Sequence, residues 1–168
     1  MFYSLHLDAS GIGIGSHAYA EQPASYPPGE IACTQAQAQN PGTWQVVSGA
    51  LVPLPPTLAQ QAAALLAAGL TISLSGSLTL SATLFPTDAV TTAKLADMAA
   101  MAARGVLPLG AAAYPMKDSI GVWHQFNAAQ YQAVAGAIAA YAAALILIAD
   151  GNPLGATALP SASASLTV

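Results

Sequence analysis

Nineteen consecutive residues, Tyr131 to Ala149 (YQAVAGAIAAYAAALILIA), carry no charge. A helix of about 20 apolar residues is long enough to cross a bilayer. Such a stretch must meet lipid or bury an apolar side in protein, and the pattern within it separates the two. The large residues are Tyr131, Val134, Ile138, Tyr141, Leu145 and Ile148, at spacings of three, four, three, four and three. That is an a/d seam on one side of a helix. Between them stand mostly Ala and Gly, whereas a membrane span carries bulky apolar residues all round and often basic flanks. The start is also specified: Asn127 is an N-cap, Gln130 completes a capping box, and Phe126 with Tyr131 forms a hydrophobic staple. The pattern predicts no membrane span. It predicts a helix whose seam packs in the core of its own domain or against copies of itself. The small-residue row Gly136, Ala140 and Ala144 would let a neighbouring backbone approach closely.

Charge is scarce throughout. Of 168 residues only ten are charged: Lys94, Arg104 and Lys117 against Asp8, Glu21, Glu30, Asp88, Asp97, Asp118 and Asp150. That 6 % compares with about 25 % in soluble domains. An isolated monomer so poor in charge has low colloidal stability. Much of the surface is therefore expected to be covered by other protein chains or to consist of small polar residues. Three basic residues cannot build a phosphate-neutralising stripe, which excludes nucleic-acid binding, and they argue equally against docking on anionic lipid. Cys33 stands alone, so an intrachain disulfide and cysteine-based zinc sites are excluded; a buried or half-buried thiol is expected. The start, MFYSLHLDAS, has no basic n-region and predicts no signal peptide.

The first 56 residues are rich in Gly and Pro. MFYSLHL reads as a strand, DASGIGIGS as a turn, and QPASYPPGE as an irregular loop. TWQVV and ALVPL around Ser48 and Gly49 read as a hairpin, and Pro55–Pro56 marks a boundary. A helix follows from Thr57 to Ala68, with Thr57 and Gln60 as a capping box and Gly69 past its end. LTISLSGSLTLSATLF alternates apolar and hydroxyl residues and reads as a strand pair. A second helix starts at Thr87 or Asp88, buries Leu95, Met98 and Ala102, and closes at Arg104–Gly105. VLPLGAAAYPM reads as a loop, KDSIGVWHQF as a turn and a short strand. Residues DGNP stop the long helix. The fold class is α+β: a small β-rich N-terminal unit, then a mixed unit of short antiparallel strands and two to three helices, the last long and Ala-rich. The expected organisation is an attachment unit over 1–56, a linking helix over 57–70, an α+β domain over 71–151 and a Ser-rich tail over 152–168.

Candidate chemistry is thin. GIGIG at Gly11–Gly15 lacks the strand–helix context of a phosphate-binding loop. His6, His17 and His124 have no Cys or carboxylate at ligand spacing, so no metal and no cofactor are expected. Asp118 is expected to cap its own turn. No carboxylate pair is set by local spacing for acid–base work, and no serine lies in a nucleophile elbow. The expectation is a non-enzyme.

The segment AYPMKDSIGVWHQFNAAQYQAVAGAIAAYAAALILIADG (113–151) resembles the C-terminal domain of a family of phage and prophage tail-fibre-associated proteins. The residues that carry this are Tyr114, Pro115, Asp118, Gly121, His124, Phe126 and the helix from Ala128. AAGLTISLSGSLTLSATLFPTDAVTTAKLADMAAMA is similar to the segment preceding it there, although LSATLF stands where a Gly–Thr–Tyr motif is usual. YPPGEIACTQAQAQNPGTWQVVSGALVPLPPT follows the order of the short leader of tail-fibre assembly proteins. The resemblance implies a place in a phage tail and no particular chemistry.

Together these readings predict a structural, non-enzymatic component of a bacteriophage tail, at or near the fibres, in the virion and made in the host cytoplasm. It would act through contacts with other tail or tail-fibre proteins and through homo-oligomerisation. A tail-fibre assembly chaperone is one alternative. A receptor- or glycan-binding tip, meeting a host surface receptor, is another; Tyr19, Tyr26, Trp44 and Trp123 are its candidate contacts.

Overall fold

A computed structural model describes residues 1–108, 110–152 and 157–168. The chain is α+β, with ten strands and four helices among the described residues. It divides into two units, Met1–Pro55 and Pro56–Val168.

The first unit is a three-stranded antiparallel sheet ordered β2-β1-β3, from β1 (Phe2–Leu7), β2 (Gly13–Tyr19) and β3 (Glu30–Cys33). Leu5 is fully buried on one face, where the single-turn helix α1 (Gln35–Ala38) packs behind a Thr34–Gln37 capping box. The hairpin β4 (Trp44–Val47) and β5 (Ala50–Pro53) turns at Ser48 and Gly49, both with positive φ, as the Ser-Gly pair predicts. It hooks onto the first turn: Val46 N–H donates to Gly11 O at 2.9 Å. Gly13 permits the approach beside it, because a Cβ there would stand 2.3 Å from Pro41 O. Strand β2 begins within the expected glycine turn, strand β3 takes its first residue from the expected loop, and helix α1 is an addition to the expected elements. Neither strand shows clean alternation, and both are held by pairing to β1.

The second unit holds α2 (Leu58–Ala68), β6 (Leu70–Ser75), β7 (Leu80–Phe85), α3 (Ala89–Ala103), β8 (Tyr114–Lys117), β9 (Trp123–Phe126), α4 (Ala128–Ala149) and β10 (Ser163–Thr167). The helix expected as a link, α2, packs on α4 within this unit. Its caps are the expected ones: Thr57 and Gln60 exchange their two hydrogen bonds, and Gly69 ends it at φ 94°. A side chain at Gly69 would be strained by that φ and would place its Cβ 2.5 Å from Phe85 O. Asp88 caps α3.

Strand β6 is the centre of a sheet ordered β10-β6-β7. Leu70, Ile72 and Leu74 are buried while Thr71 and Ser73 are half-buried and Ser75 is exposed. Strand β7, the LSATLF segment, is antiparallel to it with a bulge, where Ala82 takes φ 45°. Strand β10, in the expected Ser-rich tail, is parallel to β6, with Leu166 opposite Leu74. Residues 153–156 of that tail, including the Pro153 read as part of the helix stop, lie outside the described residues.

Helix α4 holds this unit together. Tyr131, Val134, Ile138, Tyr141, Leu145 and Ile148 are each at most 5 % exposed. They share one core with Leu70, Ile72, Phe85, Tyr114 and Phe126. The seam therefore lies inside the protein's own second unit. Fully burying each such side chain contributes about 1.5–3 kcal/mol. By length and composition α4 could cross a membrane, but a core helix passes the same test, and nine of its residues are buried. Its start is as expected: Asn127 Oδ1 accepts from Gln130 N–H at 2.9 Å, and Gln130 Oε1 accepts from Asn127 N–H at 3.1 Å. The buried Gln130 also donates to Ser77 Oγ at 2.8 Å, tying the helix start to the β6–β7 turn.

Candidate functional site

Two polar clusters and one cleft stand out, and local spacing announces none of them. In the first unit, Ser4 on β1, His17 and Tyr19 on β2 and Glu30 on β3 share one sheet face. The Glu30 side chain is 4 % exposed and carries three contacts. Tyr19 OH donates to Oε2 at 2.8 Å, Ser4 Oγ–H donates to the same oxygen, and His17 Nδ1 lies 2.7 Å from Oε1. The Ser4 bond first, then that of Tyr19, holds the Glu30 carboxyl below the usual carboxylate range, against the opposing push of burial. Tyr26 packs edge-on against Tyr19, ring centroids 5.8 Å apart. The serine bonds the carboxylate and not the histidine, so the cluster lacks the Ser–His contact of a nucleophilic triad. It fastens three strands together.

The second cluster is built by the β8–β9 hairpin. Asp118 caps its turn as expected: Oδ1 accepts from Ile120 N–H at 3.0 Å and Val122 N–H at 2.8 Å. Oδ2 stands 2.9 Å from His124 Nε2. Burial pushes the Asp118 pKa up, but the His124 contact and the two backbone N–H groups outweigh it, leaving the carboxyl below its ordinary value. The His124 ring sits against Phe85 and Phe126. Both His17 and His124 thus meet carboxylates that sequence spacing did not reveal. Among the described residues no three His, Cys, Asp or Glu side chains converge as metal ligands.

Beside this hairpin lies a cleft of about 320 Å³. Helix α3 supplies Thr91, Lys94, Leu95 and Met98; β8 and its turn supply Pro115, Met116, Lys117 and Asp118; Pro86, Trp123 and Tyr131 complete the wall. Trp123 is 61 % exposed and pairs with Lys117 across the hairpin, whose Nζ lies 5.8 Å from the indole centroid, within cation–π range. Two of the chain's three basic residues therefore line one cleft. The apolar surface continues onto the hairpin tip, where Ile120 is 85 % exposed.

The four expected aromatic contacts do not share one site. Tyr19 and Tyr26 form a half-buried pair over Glu30. Trp44 is half-buried on β4, opposite Pro53. Trp123 belongs to the second unit and is the one of the four that is exposed. Cys33 is half-buried, and burial pushes its thiol pKa up. Lys94 could not be assigned to the cleft from sequence, because it comes from a helix distant in the chain from the hairpin. No protein-family model, curated protein or solved structure gives a significant match to this chain.

Proposed function

We propose that this chain is a structural, non-enzymatic component of a bacteriophage tail, at or near the tail fibres, and that it works by protein–protein contact. The observation that carries this is the uncharged character of what α4 and the hairpin leave exposed. The outward side of α4 presents Gln132, Gly136, Ala139, Ala140, Ala143, Ile146 and Leu147 to solvent, and the hairpin tip adds Ile120, Val122 and Trp123. Exposed apolar surface of this kind marks an interface. The resemblance of 113–151 to tail-fibre-associated proteins supplies the setting. The carboxylates of Glu30 and Asp118 are engaged in holding strands and a turn, and those of Asp8 and Asp88 in a turn and a helix cap, which supports a structural role.

Mass spectrometry of purified particles, with copy number relative to the fibre, tests this reading. Peptides of this chain at a fixed ratio to the fibre are the expected result. Their presence in assembly intermediates and absence from finished particles would favour the chaperone reading instead, and absence from both would overturn the proposal. Self-association is checked by light scattering on the purified chain; a clean monomer at micromolar concentration defeats it.

A further inference from the structure

The cleft between α3 and the β8–β9 hairpin has the chemistry of a recognition site, and its composition identifies what it takes. Its floor is apolar and soft: Leu95, Met98, Met116 and Tyr131. Methionine adapts to irregular partners. Its rim is cationic: among the described residues neither Lys94 nor Lys117 makes an ion pair with a carboxylate, in a chain of net charge −4. The one acid in the lining, Asp118, is already engaged by His124 and two backbone N–H groups. A polyhydroxylated ligand would need many hydrogen-bonding groups, and the cleft has few to give. The Thr91 hydroxyl is donated to Asp88 Oδ2 at 2.6 Å, and proline, methionine and leucine provide none. The volume, about 320 Å³, lies at the lower end of ligand sites, roughly 300–1,000 Å³, which suits one or two side chains.

We propose that this cleft docks a segment of another protein that carries a carboxylate beside a bulky apolar side chain. The apolar group enters between Met98 and Met116 against Trp123, and the carboxylate meets the ammonium groups of Lys94 and Lys117. Trp is a residue type enriched at binding hot spots, and charge complementarity of this kind selects among partners. The inference rests on the protein–protein reading and names the chemistry of the partner.

Only two tryptophans are present, Trp44 and Trp123, so Trp44→Phe leaves Trp123 as the sole indole emitter. That full-length variant is titrated with the capped peptide acetyl-Gly-Phe-Glu-Gly-amide and with its Phe-Gln counterpart. The acidic peptide is expected to shift Trp123 emission saturably and to bind about two- to fivefold tighter than the neutral one, the scale of one exposed ion pair. Lys94→Met and Lys117→Met, each added to that background, are each expected to weaken binding by about the same factor, with helical circular dichroism unchanged. Raised salt weakens it further. Equal binding of the two peptides, lysine variants without effect, or no emission change with either peptide would overturn the proposal. An equal response to glucuronate or inorganic phosphate alone would overturn it too, by assigning the cleft to a small anion. A chain present in particles that ignores the acidic peptide loses this inference and keeps the structural one.

Discussion

The same substitution made two residues apart on α4 should have very unequal consequences. Leu145 is fully buried and Leu147 is 39 % exposed, yet both sit in the same uncharged helix. Leu145→Ala removes the transfer energy of the lost carbons and leaves a hole in the core of the second unit. Such changes cost about 2–5 kcal/mol, and full burial places this one near the middle, about 3 kcal/mol. Leu147→Ala leaves no cavity and gains slightly in helix propensity; its effect should stay within about 0.5 kcal/mol. The assay is urea unfolding followed by circular dichroism at the helix band. Among the described residues every α-helix except the single turn α1 lies in the second unit, so the signal reports that unit. With a slope of about 1.5 kcal/mol per molar urea, Leu145→Ala should lower the midpoint by roughly 2 M and Leu147→Ala by less than about 0.3 M. Equal shifts for the two variants would refute the assignment of the seam to the core. So would a Leu145→Ala loss below about 1 kcal/mol accompanied by a change in oligomeric state, which would move the seam to an interface.

Three further outcomes follow from the titratable groups. Glu30 has a folded pKa below its unfolded value, so its contribution to stability is complete above the ordinary carboxylate range and is lost as pH falls toward the folded value. Unfolding of the first unit, followed by Trp44 emission in a Trp123→Phe background, should show this acid loss, and Glu30→Gln should flatten it. Burial pushes Tyr131 from 10.0 up to about 12. The unfolded chain therefore ionises first, and stability should fall as pH rises from about 10 toward about 12; Tyr131→Phe should remove much of this alkaline loss, read with absorbance of the phenolate. Among the described residues Tyr141 OH is buried with no hydrogen-bond partner, which costs about 1–3 kcal/mol in proteins. Tyr141→Phe should thus leave stability unchanged or raise it by about 1 kcal/mol in thermal unfolding.

Elements whose signals are local were legible in the sequence. The N-cap, capping box and staple of α4, the Thr57–Gln60 box of α2 and the Ser48–Gly49 turn each depend on residues within a few positions. The seam was legible as a seam, because a 3–4 spacing fixes one side of a helix. Whether it packed inward or on a copy depended on the sheet and on α2 and α3, which no helical period encodes. Strands β2 and β3 were missed because GIGSHAY and EIAC lack alternation; pairing with β1 decides them. No alternation in VLPLGAAAYPM marks strand β8, and its Pro115 is tolerated because a two-stranded ribbon has open edges. The Glu30 cluster draws on three strands, and the cleft joins α3 to a hairpin that starts eleven residues past its end. The Asp118–His124 pair was recoverable in principle: Lys117 opposite Trp123 forces their neighbours together.

Strand β10 fills one side of β6, and this sets a schedule for synthesis. Ser75 closes β6 and Ser163 opens β10, so the ribosome adds 87 residues between them. At about 5–20 residues per second the interval is roughly 4–17 s. Throughout that time a row of backbone donors and acceptors on β6 waits for a strand that does not yet exist. The sheet therefore closes late, when β10 reaches the open edge of β6.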